Sequence, residues 1–301
     1  MAPEKMIPIH QQGFVNNRRP HKGSSVRQVT AAFIANMGAI NTGMMMGFSA
    51  VTIPQLLSTN SSLVMTKEQT SWFASLASIG TPCGCLFSAY ITDVLGRKKT
   101  LIFTEIPAII GWIIIAVSPT VEYIYLGRIL TGISAGMIGA PARVYTAEVT
   151  QPHLRGFLAA SASVGTSLVT LEYVIGPFCQ WRQLAWISLT IPVLSIFGCF
   201  LLPESPTWLV SSGRKEKCVD SLKKLRGSTF NVQHEVTTLI EFSEKHKTTT
   251  RLSLAEQFKK MADRSVLRPF LILASYFFIY QLSGCSPTTF YAVTIFEVST
   301  S

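Results

Sequence analysis

Seven residues, Asp93-Val94-Leu95-Gly96-Arg97-Lys98-Lys99, set an acid and three adjacent cations between two long apolar runs. Another cation, Arg128, and two carboxylates, Glu105 and Glu172, fall inside apolar runs of their own. Ionisable groups in hydrocarbon are costly, so Arg128 needs a carboxylate, a carbonyl or water beside it, and Glu172 is one carboxylate available to it. This is the chemistry of ion pairing. There is no metal-ligand cluster, no phosphate-binding Gly loop and no Ser/His/Asp arrangement. The five histidines (His10, His21, His153, His234, His246) are scattered through polar segments, so no enzyme, metal site or cofactor is expected.

The elements that must position these groups are membrane helices. Of 301 residues 48% are hydrophobic and only 14% charged, with a mean hydropathy of +0.35, too apolar for a soluble chain of this length. A spanning helix needs about 20 apolar residues, and seven stretches qualify: 29–57, 71–91, 100–117, 121–142, 157–177, 184–202 and 269–298. The first is longer than needed, so it is expected to tilt, kink or extend; Gly38, Gly43 and Gly47 mark one sloping face for close helix approach. Glu105 and Pro107 are expected to interrupt the third, and Ser283, Gly284 and Pro287 to break the last. Residues 203–267 are too polar to cross. Within them Cys218, Val219, Leu222 and Leu225 share one helical face, and Val232, Val236, Leu239 and Phe242 another, with Gly213 and Gly227 bracketing the first helix.

Charge sets the orientation. Three adjacent cations must lie outside the hydrocarbon, so the 93–99 turn is cytoplasmic. All but Lys67, Arg182 and Arg128 of the 26 Lys and Arg then fall on its side. The N-terminus is therefore inside, the reverse of a seven-helix receptor. The same bias accounts for the net charge of +10 without nucleic acid. The chain divides into a cytoplasmic tail (1–28), a six-helix bundle (29–202), a cytoplasmic helical linker (203–267) and a seventh span (268–301). Asn60-Ser61-Ser62 is a glycosylation sequon on the outer side, at Asn60. Six cysteines (Cys83, Cys85, Cys179, Cys199, Cys218, Cys285) without a CxxC pair read as buried thiols.

Three short signatures in order resemble the sugar porter family of the major facilitator superfamily. Asp93 with Gly96-Arg97-Lys98 resembles that family's loop between helices two and three; Tyr145, Glu148, Arg155 and Gly156 its loop between four and five; and Pro203-Glu204-Ser205-Pro206-Thr207-Trp208-Leu209 its block after helix six. Gln281-Leu282-Ser283-Gly284 matches the start of its seventh-helix signature. Pro141-Ala142-Arg143-Val144-Tyr145 and Leu171-Glu172-Tyr173 are most similar to insect facilitated trehalose transporters. The resemblance implies an all-α membrane fold of twelve helices in two halves, with a sugar site at the midplane. This chain would supply the first half, the linker and one further helix, in the plasma membrane.

The resemblance also implies roles. Asp93, Arg97, Glu148, Arg155 and Glu204 would form a cytoplasmic ion-pair lattice that opens and closes. Gln281, Ser286, Ser163, Thr42 and Asn41 would face a neutral sugar, and Tyr291 would serve as an outer gate. Several positions depart from the family: Ala89 for a Gly, Val94 for a basic residue, Thr207 for an Arg, Ser163 and Tyr280 for Gln, and Ser286, followed by Pro287, for Asn. Proton-coupled relatives carry an Asp in the first helix where Asn41-Thr42-Gly43 stands, and that span lacks any carboxylate, so downhill transport is expected. Glu105 and Glu172 leave proton coupling as the alternative. With five of twelve helices absent, the alternative to a transporter is a truncated or non-transporting protein, a sensor, or a half that pairs with another chain.

Overall fold

The computed structural model describes residues 24–59, 61–227, 230–247 and 263–300. All regular structure among them is helical. The first span is two helices, α1 (Ser25–Ala35) and α2 (Met37–Leu57), joined at Asn36 with φ −94° and ψ 2°. The Asn36 amide donates to the Ala32 carbonyl at 2.8 Å, the local competition by which Asn side chains interrupt helices. The expected kink is therefore a break at one named residue.

The next helices are α3 (Lys67–Leu95), α4 (Arg97–Val117) and α5 (Val121–Val149). A capping box starts α3: Thr66 Oγ1 accepts from the Gln69 N–H at 3.3 Å, and Gln69 Oε1 accepts from the Thr66 N–H at 2.9 Å. Pro107 does not interrupt α4, which runs through it. The fifth stretch is α6 (Pro152–Ser167), α7 (Val169–Ile175) and a 3₁₀ turn over Gly176–Phe178, and the sixth is α8 (Trp181–Leu201). Among the described residues, six helical stretches are long and apolar enough to cross a membrane: Ser25–Leu57, Lys67–Leu95, Arg97–Val117, Pro152–Phe178, Trp181–Leu201 and Arg264–Phe290. The α5 helix, expected to be a seventh, has the length but falls short in apolarity because its inner faces carry Arg128, glycines and hydroxyls. It packs on α3 and α4 and lends much of its surface to the core.

Small residues make that packing close. A Cβ on Gly84 of α3 would collide with the Ile133 carbonyl, and one on Gly136 of α5 with the Thr81 carbonyl. Gly38, Gly43 and Gly47 do not share one face: Gly43 and Gly47 admit the backbone of α6 and α7, while Gly38 admits Glu105 and Ile138. One core cluster gathers Met45, Phe48, Phe73, Trp112, Ile124 and Trp181. A second, toward the Arg97 end, gathers Leu101, Ile138, Tyr145, Val149 and Leu202.

Three shorter helices, α9 (Pro206–Ser211), α10 (Lys215–Arg226) and α11 (Gln233–Lys247), share a third cluster built on Trp208, Cys218, Leu222, Val232 and Val236. Gly213 and Gly227 bracket α10 at φ +77° and +102°. Phe242, expected on the buried face of α11, is exposed. The last stretch is α12 (Arg264–Leu282), α13 (Cys285–Phe290) and α14 (Ala292–Thr300), broken near Ser283 and Gly284 as expected. No residue of α12 is buried, whereas α13 and α14 lie against α2. Of the cysteines, Cys199 and Cys218 are buried; Cys83, Cys85 and Cys285 are exposed and Cys179 is half-buried, because the apolar faces carrying the exposed ones point outward.

Candidate functional site

The charges at the Arg97 end are drawn together by helix ends. Arg97, first residue of α4, reaches Glu148 at the end of α5 with two parallel bonds, Nε to Oε2 and Nη2 to Oε1, each 3.1 Å. That planar fork is the strongest form of the Arg–carboxylate pair. Arg97 is also 3.5 Å from Asp93, which is 81% exposed against 14% for Arg97 and 15% for Glu148. Ser205 Oγ donates to Glu148 Oε2. Glu204 pairs with no arginine; its Oε1 accepts the Lys98 N–H at 3.0 Å and so caps the start of α4, where a helix favours negative charge. Gly96 makes room for it: φ is +92°, and a Cβ there would lie 2.8 Å from Glu204 Oε2. Arg155 is not part of this cluster. It is exposed in the first turn of α6, while both Glu148 oxygens are taken by Arg97 and Ser205.

Sequence reasoning missed how the short helices lock onto this end. Trp208 Nε1 donates to the Asp93 carbonyl at 3.1 Å. Arg226, almost fully buried, forks onto Glu235 at 2.6 and 3.1 Å and donates to the Val149 carbonyl at 2.6 Å. Gln28 and Gln151 exchange bonds of 3.2 and 2.8 Å between α1 and the turn before α6. The Arg226–Glu235 pair is nine residues apart and had a signal in opposite charges on adjacent amphipathic helices; the glutamine pair, 123 apart, had none.

In mid-bundle Arg128 is fully buried. Nη1 donates to the Met45 carbonyl at 3.0 Å, Nε to the Phe73 carbonyl at 3.2 Å, and Nη2 to Ser49 Oγ. The guanidinium also lies 4.6 Å from the Phe73 ring centroid. Glu172 is not its ion-pair partner: that carboxylate bonds Ser188 Oγ at 2.7 Å, and Glu105 bonds Ser195 Oγ at 2.8 Å. Ser188 and Ser195 lie seven residues apart on one stripe of α8. Each of the two carboxylates keeps one buried oxygen without a hydrogen bond. The first-span residues that face the buried cation are thus Met45, through its carbonyl, and Ser49, not Asn41, Thr42 or Gly43.

The residues expected to hold sugar are dispersed. Asn41 is buried and committed, its Oδ1 accepting from Trp112 Nε1 at 2.8 Å. Thr42 is half-buried, with its hydroxyl 3.4 Å from its own helix's Gly38 carbonyl. Ser163 is exposed on α6 and Gln281 is exposed in the last turn of α12. Tyr291 is half-buried against the first core cluster, close to where Tyr173 donates to the Thr289 carbonyl at 2.9 Å. Asn60, the Ser286 side chain and the 1–23 tail lie outside the described residues.

Among the described residues, a bundle of long apolar helices buries Arg128 in its middle and keeps its ion pairs at one end, which defines a multi-pass membrane protein. Its fold is that of the major facilitator superfamily. The structure is similar to the partially occluded inward-open xylose transporter XylE of E. coli, with TM-score 0.68 at 20% identity over 88% of this chain and 66% of that one. It is also similar to the proton:xylose symporter XylE bound to 6-bromo-6-deoxy-D-glucose, with TM-score 0.64 at 20% identity over 75% and 55%. Residues 28–299 match the family described as "Sugar (and other) transporter", and the chain belongs to that family. Among its relatives are sugar transporter ERD6 of Arabidopsis thaliana, 32% identical over 93% of this chain and 56% of that protein, and facilitated trehalose transporter Tret1 of Bombyx mori, 32% identical over 91% and 53%. The chain spans about half the length of these curated relatives.

Proposed function

We propose that this chain moves a neutral sugar, trehalose, glucose or one like them, down its gradient across the plasma membrane by alternating access. The observation that carries the downhill reading is the Arg128 site. Among the described residues the buried cation's hydrogen-bonding partners are two carbonyls and a hydroxyl, with an aromatic face beside it, and the first span holds no Asp or Glu to load a proton with the sugar. Relatives named as facilitated trehalose transporters support the substrate class. A sugar needs many neutral hydrogen bonds, which suits Ser163, Thr42, Gln281 and Ser286 better than Asn41, already spent on Trp112.

In this reading residues 1–28 and 203–267 are cytoplasmic, 29–202 form one lobe and 268–301 begin the other. Asp93, Arg97 and Glu148 form the inner contact that parts when that side opens, and Tyr291 closes the outer side. Asn60 carries the glycan. The bilayer is the constant partner, and a second chain is the partner sought if the first test fails. Proton symport is the competing reading, favoured by the unpaired oxygens of Glu105 and Glu172. Uptake of labelled trehalose and glucose into liposomes holding only this chain is the test. Saturable uptake of at least one is expected; flux no greater than in empty liposomes overturns the reading of the chain as a porter on its own.

A further inference from the structure

The break at Asn36 leaves an unmet hydrogen bond beside a cavity. Asn36 is 4% exposed. Its amide orientation is fixed, because Nδ2 donates to the Ala32 carbonyl, a group that can only accept. Nδ2 also lies 3.1 Å from Thr146 Oγ1 and 3.0 Å from Ser161 Oγ, so α5 and α6 crowd the same side of the amide. Oδ1 is left buried without any donor. A stranded amide oxygen of this kind carries an uncompensated desolvation cost, which a ligand's donor would recover.

Asn36 lines a cavity of about 400 Å³ between the α1–α2 junction and α6. Its walls are mostly apolar, including Phe33, Met37, Ile40 and Val164; Asn36 is the buried polar residue among them, with Ser161 half-buried and Thr30 exposed. The volume lies within the range of small-molecule pockets and is far larger than one water requires. A free sugar fits this lining badly, since most of its hydroxyls would be buried against hydrocarbon with nothing to bond. A compact ring or chain with a single hydroxyl fits it well: the apolar body fills the slot and the O–H meets Oδ1.

We propose that this slot binds a small apolar molecule carrying one hydroxyl donor, of the phenol or aromatic alcohol class, at a site distinct from that of the transported sugar. The inference rests on Asn36 and the cavity and does not depend on what the chain transports. The experiment is photolabelling of the whole chain in nanodiscs with 4-hydroxybenzophenone and, in parallel, with 4-methylbenzophenone, whose methyl is close in size to the hydroxyl but donates no hydrogen bond. Labelled residues are mapped by peptide mass spectrometry. The expected result is labelling on the walls near Met37 and Val164, reaching half-maximum at roughly tenfold lower concentration for the hydroxyl compound, equivalent to about 1.4 kcal/mol, and displaced by excess phenol. Asn36→Leu should erase the difference between the two probes. Should that variant fail to assemble, Val164→Trp narrows the slot from its exposed rim without touching Asn36 and should abolish the labelling. Equal labelling by both probes, labelling confined to the exposed faces of α12, or none at all overturns the proposal.

Discussion

Arg97 and Arg128 sit on neighbouring helices and are both shielded from water, yet they are satisfied in opposite ways. Arg97, at the end of α4, forks onto Glu148 with Asp93 beside it. Arg128, in the middle of α5, touches two carbonyls, one serine and aromatic rings. A charge pair near water can separate cheaply, because each ion is rehydrated as the other leaves. In mid-bundle the same separation would strand two ions in low dielectric. The difference therefore teaches which contact could part at low cost, that of Arg97, and which could not: the Arg128 contact ties α2, α3 and α5 together.

Substitutions that exchange or remove these partners test the contrast. Arg128→Leu leaves the Met45 and Phe73 carbonyls and Ser49 without their donor; the account expects a loss of about 3–5 kcal/mol, read as a large fall in the thermal midpoint of detergent-solubilised protein. Glu148→Gln keeps the shape of the Arg97 contact and removes its charge. It should cost about 2 kcal/mol at low salt and less as salt is raised, because salt screens the intact pair, whereas the cost of the Arg128 variant should be insensitive to salt.

The docked short helices give a pH test away from the membrane. Burial pushes the Cys218 thiol up from 9.0 to about 11, with Glu235 adding to the shift. Only the thiolate reacts, so alkylation of Cys218 should be negligible at neutral pH and should rise only as pH approaches 11. Because the unfolded thiol ionises first, folded stability from this group is complete below pH 9 and declines between 9 and 11. An alkylation profile with a midpoint near 9 would show that α9–α11 are not packed as described. Smallest of all, Arg155→Gln should change stability by less than about 0.5 kcal/mol, since this exposed side chain stands outside the cluster. A fall as large as that of Glu148→Gln would place Arg155 inside the lattice after all.

What the sequence made legible follows the range of the interaction. The basic turn at 93–99, the amphipathic faces around Cys218 and Val232, and the break at Ser283-Gly284 are local patterns, and the helices lie where those patterns put them. Pairing across the bundle was not local. Nothing near Asn41 announced Trp112, 71 residues away, and of the carboxylate, carbonyl or water that Arg128 was expected to need, it is the carbonyls, of Met45 and Phe73, that the bundle supplies, with Ser49 beside them. The break at Asn36 had a local cause that hydropathy does not register, since an Asn amide turned onto its own helix changes no apolar count.

No proton is expected to travel with the sugar, because the buried cation hydrogen-bonds only to carbonyls and a hydroxyl and the first span holds no carboxylate. The measurement that tests it most directly is the steady-state concentration of labelled sugar inside liposomes holding the chain, with an inward proton gradient imposed. The account predicts that the internal concentration rises to the external one and stops there, with or without the gradient. Accumulation above the external concentration that collapses when a protonophore is added would contradict it.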